Sequence, residues 1–182
     1  KAFLSPLNEL EITFSSHHGN LPTIKKVELS EKLPDEVNVH QNAVIFFLSD
    51  FLNQILKNES QQVALYQEIK FFKQKILDKK MHAHYFFLIR MLQFFGISPL
   101  VSEEKFLNIE KGIFQEEIAQ KEVDEELSFL WKKILDKEIE EDFIIEKKSR
   151  KPLLDSILQY YKTHFPEFYA PKSLPVILEV FE

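Results

Sequence analysis

The chain has 182 residues, enough for one domain that buries roughly 70% of its unfolded surface without staples. It has no cysteine, which excludes disulfides and thiolate metal sites, and a net charge of −6, which argues against strong unaided attraction to nucleic acid. Eighteen phenylalanines and five tyrosines against three glycines favour a helical core over a turn-rich β protein.

Residues 1–32 read as a β-hairpin. Leu10, Ile12 and Phe14 alternate with polar neighbours, and Ile24, Val27 and Leu29 follow a polar loop containing His17, His18 and Gly19. Two strands alone are marginal in water, so this hairpin must pair further or lie on helices. Asn38 is the expected cap of a first helix reaching about Lys57, with Val44, Phe47, Leu48, Phe51 and Ile55 on one face. A second helix ends near Leu77 and carries a stripe of Leu65, Ile69, Phe72 and Ile76. Lys70, Lys73, Lys75, Lys79 and Lys80 form a basic patch of low specificity on its polar side and exit. A third helix, about His82 to Phe95, is apolar nearly all round and belongs in the middle of a bundle, with Gly96 as its left-handed cap.

After Pro99, residues Phe106 to Phe114 fit a small hairpin turning at Glu110-Lys111-Gly112. A fourth helix starts near Asp124 and points Leu127, Leu130, Trp131, Ile134 and Leu135 inward, whereas 137–146 is ambiguous. The basic run Lys147, Lys148, Arg150 and Lys151 then precedes a helix whose stripe is Leu153, Leu154, Ile157, Leu158 and Tyr161. Pro166 ends that helix, and Ser173 is the expected cap of a last one with Pro175 in its first turn. Charge is uneven: residues 103–146 hold 15 acidic and 6 basic side chains, a net of −9, and residues 147–172 hold 6 basic and 2 acidic, a net of +4. No apolar run reaches the roughly 18 residues that span a bilayer, and Arg90 interrupts the nearest. No signal-peptide pattern appears, and a start on Lys1 leads us to expect further residues upstream.

Nothing in the sequence marks an active site. The glycines serve a loop, a cap and a turn, no phosphate-cradling loop exists, and no serine, histidine and carboxylate arrangement stands out. His82 and His84 are two residues apart on a helix, so they face different sides and suit a metal poorly. They read as solvated. Arg90 stands alone on the apolar third helix beside Ala83, Phe86 and Gln93. An interior guanidinium needs an acceptor, and an intramolecular ion pair with a glutamate is the simplest one. Lys147, Lys148, Arg150 and Lys151 read most simply as a solvated face.

Three segments carry a resemblance. Phe87-Leu88-Ile89-Arg90-Met91-Leu92-Gln93-Phe94-Phe95-Gly96-Ile97-Ser98-Pro99-Leu100 is similar to the F-E-L-R-L-L-x-x-L-G-x-x-P-x-L signature of the RecO family, departing at Leu88. Residues Leu153 to His164 with Lys172 to Phe181 resemble the end of RecO proteins. Phe3 to Ile12 is similar to a stretch near the end of their oligonucleotide-binding (OB) barrel. The resemblance implies an α+β, mainly α fold: a helical bundle over 33–182 with a small β insert near 105–115, preceded by a hairpin, 1–32, from a truncated OB-fold. It implies no enzyme and no cofactor, but a bacterial cytoplasmic mediator of recombinational repair. Such a protein binds DNA, anneals strands and, with RecR, helps load recombinase onto DNA covered by single-stranded-DNA-binding protein. On this reading Lys147, Lys148, Arg150 and Lys151 hold phosphates. Arg90, Phe86 and Gln93 receive the acidic, phenylalanine-ended tail of the single-stranded-DNA-binding protein. Many RecO proteins also bind zinc through four cysteines in the insert, a feature this chain cannot have, so its insert is expected to hold by packing. The alternative is a helical interaction module of unrelated function.

Overall fold

The computed structural model describes residues 5–15, 21–31, 37–57, 59–80, 82–136 and 144–181. The loop with His17, His18 and Gly19, the 137–143 part of the acidic stretch and the final residue lie outside the described residues.

Strands β1 (Glu9–Ser15) and β2 (Thr23–Glu31) pair antiparallel. Leu10 faces Leu29, Ile12 faces Val27 and Phe14 faces Ile24. The odd spacing of Ile24 and Val27 would send them to opposite faces. A register shift at Thr13/Phe14 leaves Lys25 over and restores one apolar face. Towards the turn that face is bare, Phe14 and Ile24 being 60% and 61% exposed.

Helices α1 (Val39–Ile55), α2 (Val63–Leu77) and α3 (Ala83–Phe94) follow. Asn38 caps α1 as expected, in a full capping box. Its side chain accepts from the Gln41 N–H at 2.9 Å while the Gln41 side chain accepts from the Asn38 N–H at 3.1 Å. The same Gln41 amide donates to the Ile76 and Leu77 carbonyls, adding donors at the end of α2, where the Ile76 carbonyl also accepts from the Lys79 N–H. Gly96 ends α3 at φ 68°, with the Ile97 N–H returning to the Leu92 carbonyl. Lys79 takes the same left-handed position after α2 at φ 61°, with Lys80 returning to Lys75, although it is no glycine.

Strands β3 (Phe106–Asn108) and β4 (Ile113–Gln115) form the insert, and α4 (Glu125–Leu135), α5 (Lys147–His164) and α6 (Leu174–Phe181) complete the chain. The fold is mainly α with two small antiparallel hairpins. Central α3 is buried nearly all round and packs on α2, α4 and α5, while α6 packs on α1. Phe72 meets Phe87 edge-on at 5.2 Å and Phe51 meets Tyr161 at 4.9 Å. The Tyr161 hydroxyl donates to the Leu88 carbonyl at 2.7 Å and pins α5 to α3.

Two expectations need correction, and one gains a further contact. The basic run lies inside α5, which begins at Lys147 and carries Pro152 as its sixth residue. Proline removes one helix bond there, and tertiary anchors hold the extra turn: Glu126 of α4 grips Lys148 and Ser149. Ser173 holds the expected cap position of α6, its carbonyl accepting from the Ile177 N–H at 3.3 Å, and its hydroxyl and N–H both donate to Asp50 of α1, at 3.2 and 3.1 Å, so it also acts as a tether. His82 and His84 are buried, because the start of α3 is enclosed by the segment before α5 and by Phe181.

Candidate nucleic-acid and partner interfaces

The first turns of α5 carry Lys147, Lys148, Arg150 and Lys151. Just upstream, Ile145 is fully buried, and its N–H donates to His82 Nδ1 at 3.1 Å. That plug fixes where α5 starts. Arg150 Nε donates to the Ile145 carbonyl at 3.1 Å. Lys148 lies 3.1 Å from Glu126 and 3.5 Å from Glu146, and Lys151 pairs with Asp155 one turn on at 3.1 Å. The Ser149 hydroxyl bond, then Lys148, holds the Glu126 carboxyl below the usual range, and Glu126 in turn raises Lys148. These pairs are exposed, so each contributes little and can yield to a stronger anion. Cations at a helix N-terminus oppose the helix dipole. This turn is therefore electropositive twice over.

Arg90 forms the expected ion pair, its Nη1 lying 3.2 Å from Glu68 Oε1 of α2, and its guanidinium stacks 5.3 Å from the Phe72 ring. A cleft of about 460 Å³ opens beside it, lined by Glu68, Arg90, Gln93 and Phe94. Gln93 thus shares the cleft with Arg90. Phe86 does not, since it is 1% exposed and lies in the core. Phe94 lines the cleft in its place.

A second groove, of about 270 Å³, has walls of Val44, Ile76 and Phe181 and a rim of His40, Lys79 and Lys80. The left-handed Lys79 stands on that rim. Lys70 and Lys73 are engaged elsewhere. Lys70 lies 2.9 Å from Glu9, Lys73 lies 3.4 Å from Glu31, and the Tyr66 hydroxyl donates to Glu9. Together they fasten the β1–β2 hairpin to α2. Tyr66 first, then Lys70, lowers the Glu9 carboxyl to about 2. Sequence reading missed this fastening because its partners are 57 residues apart and only the Tyr66–Lys70 spacing hinted at a shared face.

No family model matches the chain, and no solved structure matches it. Curated relatives do. The DNA repair protein RecO of Flavobacterium psychrophilum is 26% identical over 192 residues, covering 99% of this chain and 79% of that protein. The DNA repair protein RecO of Christiangramia forsetii is 28% identical over 189 residues, covering 96% and 77%. That of Azobacteroides pseudotrichonymphae is 26% identical over 196 residues, covering 100% and 80%. This chain is RecO-like.

The RecO-type signature has a clear structural place. Phe87 to Phe94 form the centre and end of α3, Gly96 turns the chain, Pro99 is buried, and Leu100 bridges to Ile113 of the insert. The four-cysteine zinc site of many RecO proteins does not fit this chain, which offers no thiolate. Among the described residues no group of three or more histidines and carboxylates could hold a metal. Side-chain hydrogen bonds staple this RecO-like insert alongside its packing. The Ser128 hydroxyl accepts from the Leu107 N–H at 2.9 Å, and Asn108 Oδ1 accepts from the Lys111 N–H at 3.0 Å. Asn108 also donates to Gln115 at 2.8 Å, and Lys132 donates to the Ser102 carbonyl at 2.8 Å.

Proposed function

We propose that the chain works in recombinational DNA repair in the RecO manner, binding DNA, annealing strands and helping RecR load recombinase. The observation that carries this reading is similarity to curated DNA repair proteins over 96–100% of the chain. The work is binding and handover in the bacterial cytoplasm, without a chemical step. Residues 33–182 form the docking body, and 1–32 are closing strands of an OB-type barrel. The bare apolar face at Phe14 and Ile24 supports the barrel assignment, since a two-stranded sheet needs further partners. Lys147, Lys148, Arg150 and Lys151 hold phosphates, supported by their clustering on one exposed electropositive turn. Annealing of complementary oligonucleotides tests the reading. Acceleration by the chain supports it, and a rate equal to that of the bare strands overturns it.

The acidic tail of the single-stranded-DNA-binding protein docks on the helical body. It needs an apolar pocket for its terminal ring and a cation for its carboxylate. At the Arg90 cleft the carboxylate competes with Glu68, with Gln93 and Phe94 alongside. A second reading places the ring between Val44, Ile76 and Phe181 and the carboxylate on Lys79 or Lys80, and the more apolar walls of that groove favour it. Titration of a tail peptide separates them. Arg90→Ala abolishes binding in the first case, and Lys79→Glu does so in the second.

A further inference from the structure

We propose that the small cleft between the first turn of α5 and the end of α6 binds a phosphate group. Lys147, Arg150 and Lys151 stand at its mouth and the His84 imidazole in its wall.

His84 is the observation that singles this cleft out. It is 1% exposed, and neither ring nitrogen has a hydrogen-bond partner among the described residues. Two residues earlier His82 is also buried, yet its Nδ1 accepts from the Ile145 N–H. Native proteins pair nearly all buried polar groups, so an imidazole left without a partner beside a cavity points to a missing occupant. Burial, then the charges of His82 and Arg150, holds His84 down to about 3. It therefore stays neutral and keeps one N–H to donate.

The surroundings select the occupant's charge. Three cations line the cleft, and α5, eighteen residues long, directs its positive end at it. Asp155 offsets Lys151 at 3.1 Å, and Lys147 and Arg150 add positive charge that favours an anion there. Arg150 spends its Nε on the Ile145 carbonyl, and an arginine has further N–H donors for a ligand. The Leu154, Ile177 and Phe181 side chains exclude water from the other side, which strengthens charged hydrogen bonds.

Size narrows the class. The cleft holds about 50 Å³, room for about three water-sized groups at ~15 Å³ each. That matches the non-bridging oxygens of a terminal phosphate. A continuous phosphodiester offers fewer such oxygens and cannot enter as deeply. The phosphate could be free inorganic phosphate or the phosphorylated end of a strand. The strand-end source rests on the repair reading above, whereas the inorganic source does not.

Histidine-selective nitrogen NMR on the full chain tests this, with inorganic phosphate as one titrant. Two single-stranded oligonucleotides that differ only in a 5′-phosphate are the others. The expected result is that phosphate shifts the His84 ring nitrogens and that Lys147→Gln with Lys151→Gln weakens this response roughly tenfold. His84→Phe, which keeps a ring in place, should lose the phosphate-dependent rise in melting temperature. Should that variant fail to fold, the wild-type and lysine-variant titrations still decide. A strand-end source further requires the 5′-phosphorylated strand to bind more tightly than its twin. Equal binding of the strands beside a clear inorganic response assigns the site to free phosphate. His84 nitrogens unmoved by all three titrants would overturn the proposal, as would a shift unchanged by the lysine substitutions. A failed annealing assay with an intact His84 shift would remove the repair reading alone.

Discussion

In the helical body ring sits on ring: Phe72 on Phe87, Phe51 on Tyr161, Trp131 beside Tyr160 with its indole N–H donating to Ser156. In the β1–β2 hairpin, Phe14 and Ile24 face each other in the open, and the ion pairs and hydrogen bonds to α2 pass through Glu9 and Glu31. The body is held by buried apolar area, which salt leaves alone. The hairpin is fastened by charge, which salt screens. One region is a finished core, and the other leaves apolar side chains uncovered.

Four experiments break or sharpen this contrast. Phe87→Ala should destabilise the body by about 3–5 kcal/mol in denaturant titration, while Phe14→Ala on the bare hairpin should cost under about 1 kcal/mol. Comparable losses would erase the distinction. The second is acid titration. His84 sits near 3 when folded, below its ordinary 6.5, so the unfolded chain binds a proton that the folded chain refuses. This contribution is fully present above pH 6.5 and falls by up to about 1.4 kcal/mol per pH unit as pH drops towards 3. Melting curves across that range should show the decline, and His84→Phe should flatten it.

Third, Gly112 in the insert has φ 63°, and a Cβ there would lie 2.7 Å from the Tyr160 hydroxyl, which donates to the Ile97 carbonyl. Gly112→Ala should cost about 1–3 kcal/mol and disturb the Tyr160 environment, read by denaturation and aromatic NMR. Smallest is the fastening. Tyr66→Phe with Lys70→Gln should raise hydrogen exchange in β1 and β2 while global stability barely changes. Glu9 is held at about 2 when folded, so this attachment is intact above about pH 4.5 and lost as pH falls towards 2.

Local signals were legible where the residue decides its own backbone. Asn38 caps α1, Asp124 caps α4 through the Leu127 N–H, and Gly96 ends α3, all through short-range chemistry written in adjacent residues. The all-apolar character of α3 correctly placed it at the centre. Signals failed where distant partners decide. Pro152 argues for a later start to α5, yet Glu126 and buried Ile145 pull the helix back to Lys147. Ser173 stands at the start of α6 as its type suggests, but its bond to Asp50, 123 residues away, has no local signal. The H-x-H pair suits solvent by type and spacing, and only the packing of Ile145 and Phe181 over α3 buries it. Of the candidate interface residues, the basic turn was visible as a charge run and Arg90 as a lone charge. Phe94, His84 and the Lys79 rim became visible only once the helices were assembled.

The decisive measurement is the salt dependence of single-strand DNA binding, compared between the chain and its Lys147→Gln, Lys151→Gln variant. If the turn at the start of α5 holds phosphates, the variant binds more weakly, and its slope of log K against log salt falls in magnitude by about 1.4, at ~0.7 for each phosphate contact on a single strand. An affinity and slope identical to those of the unaltered chain would contradict a role for this turn in holding DNA.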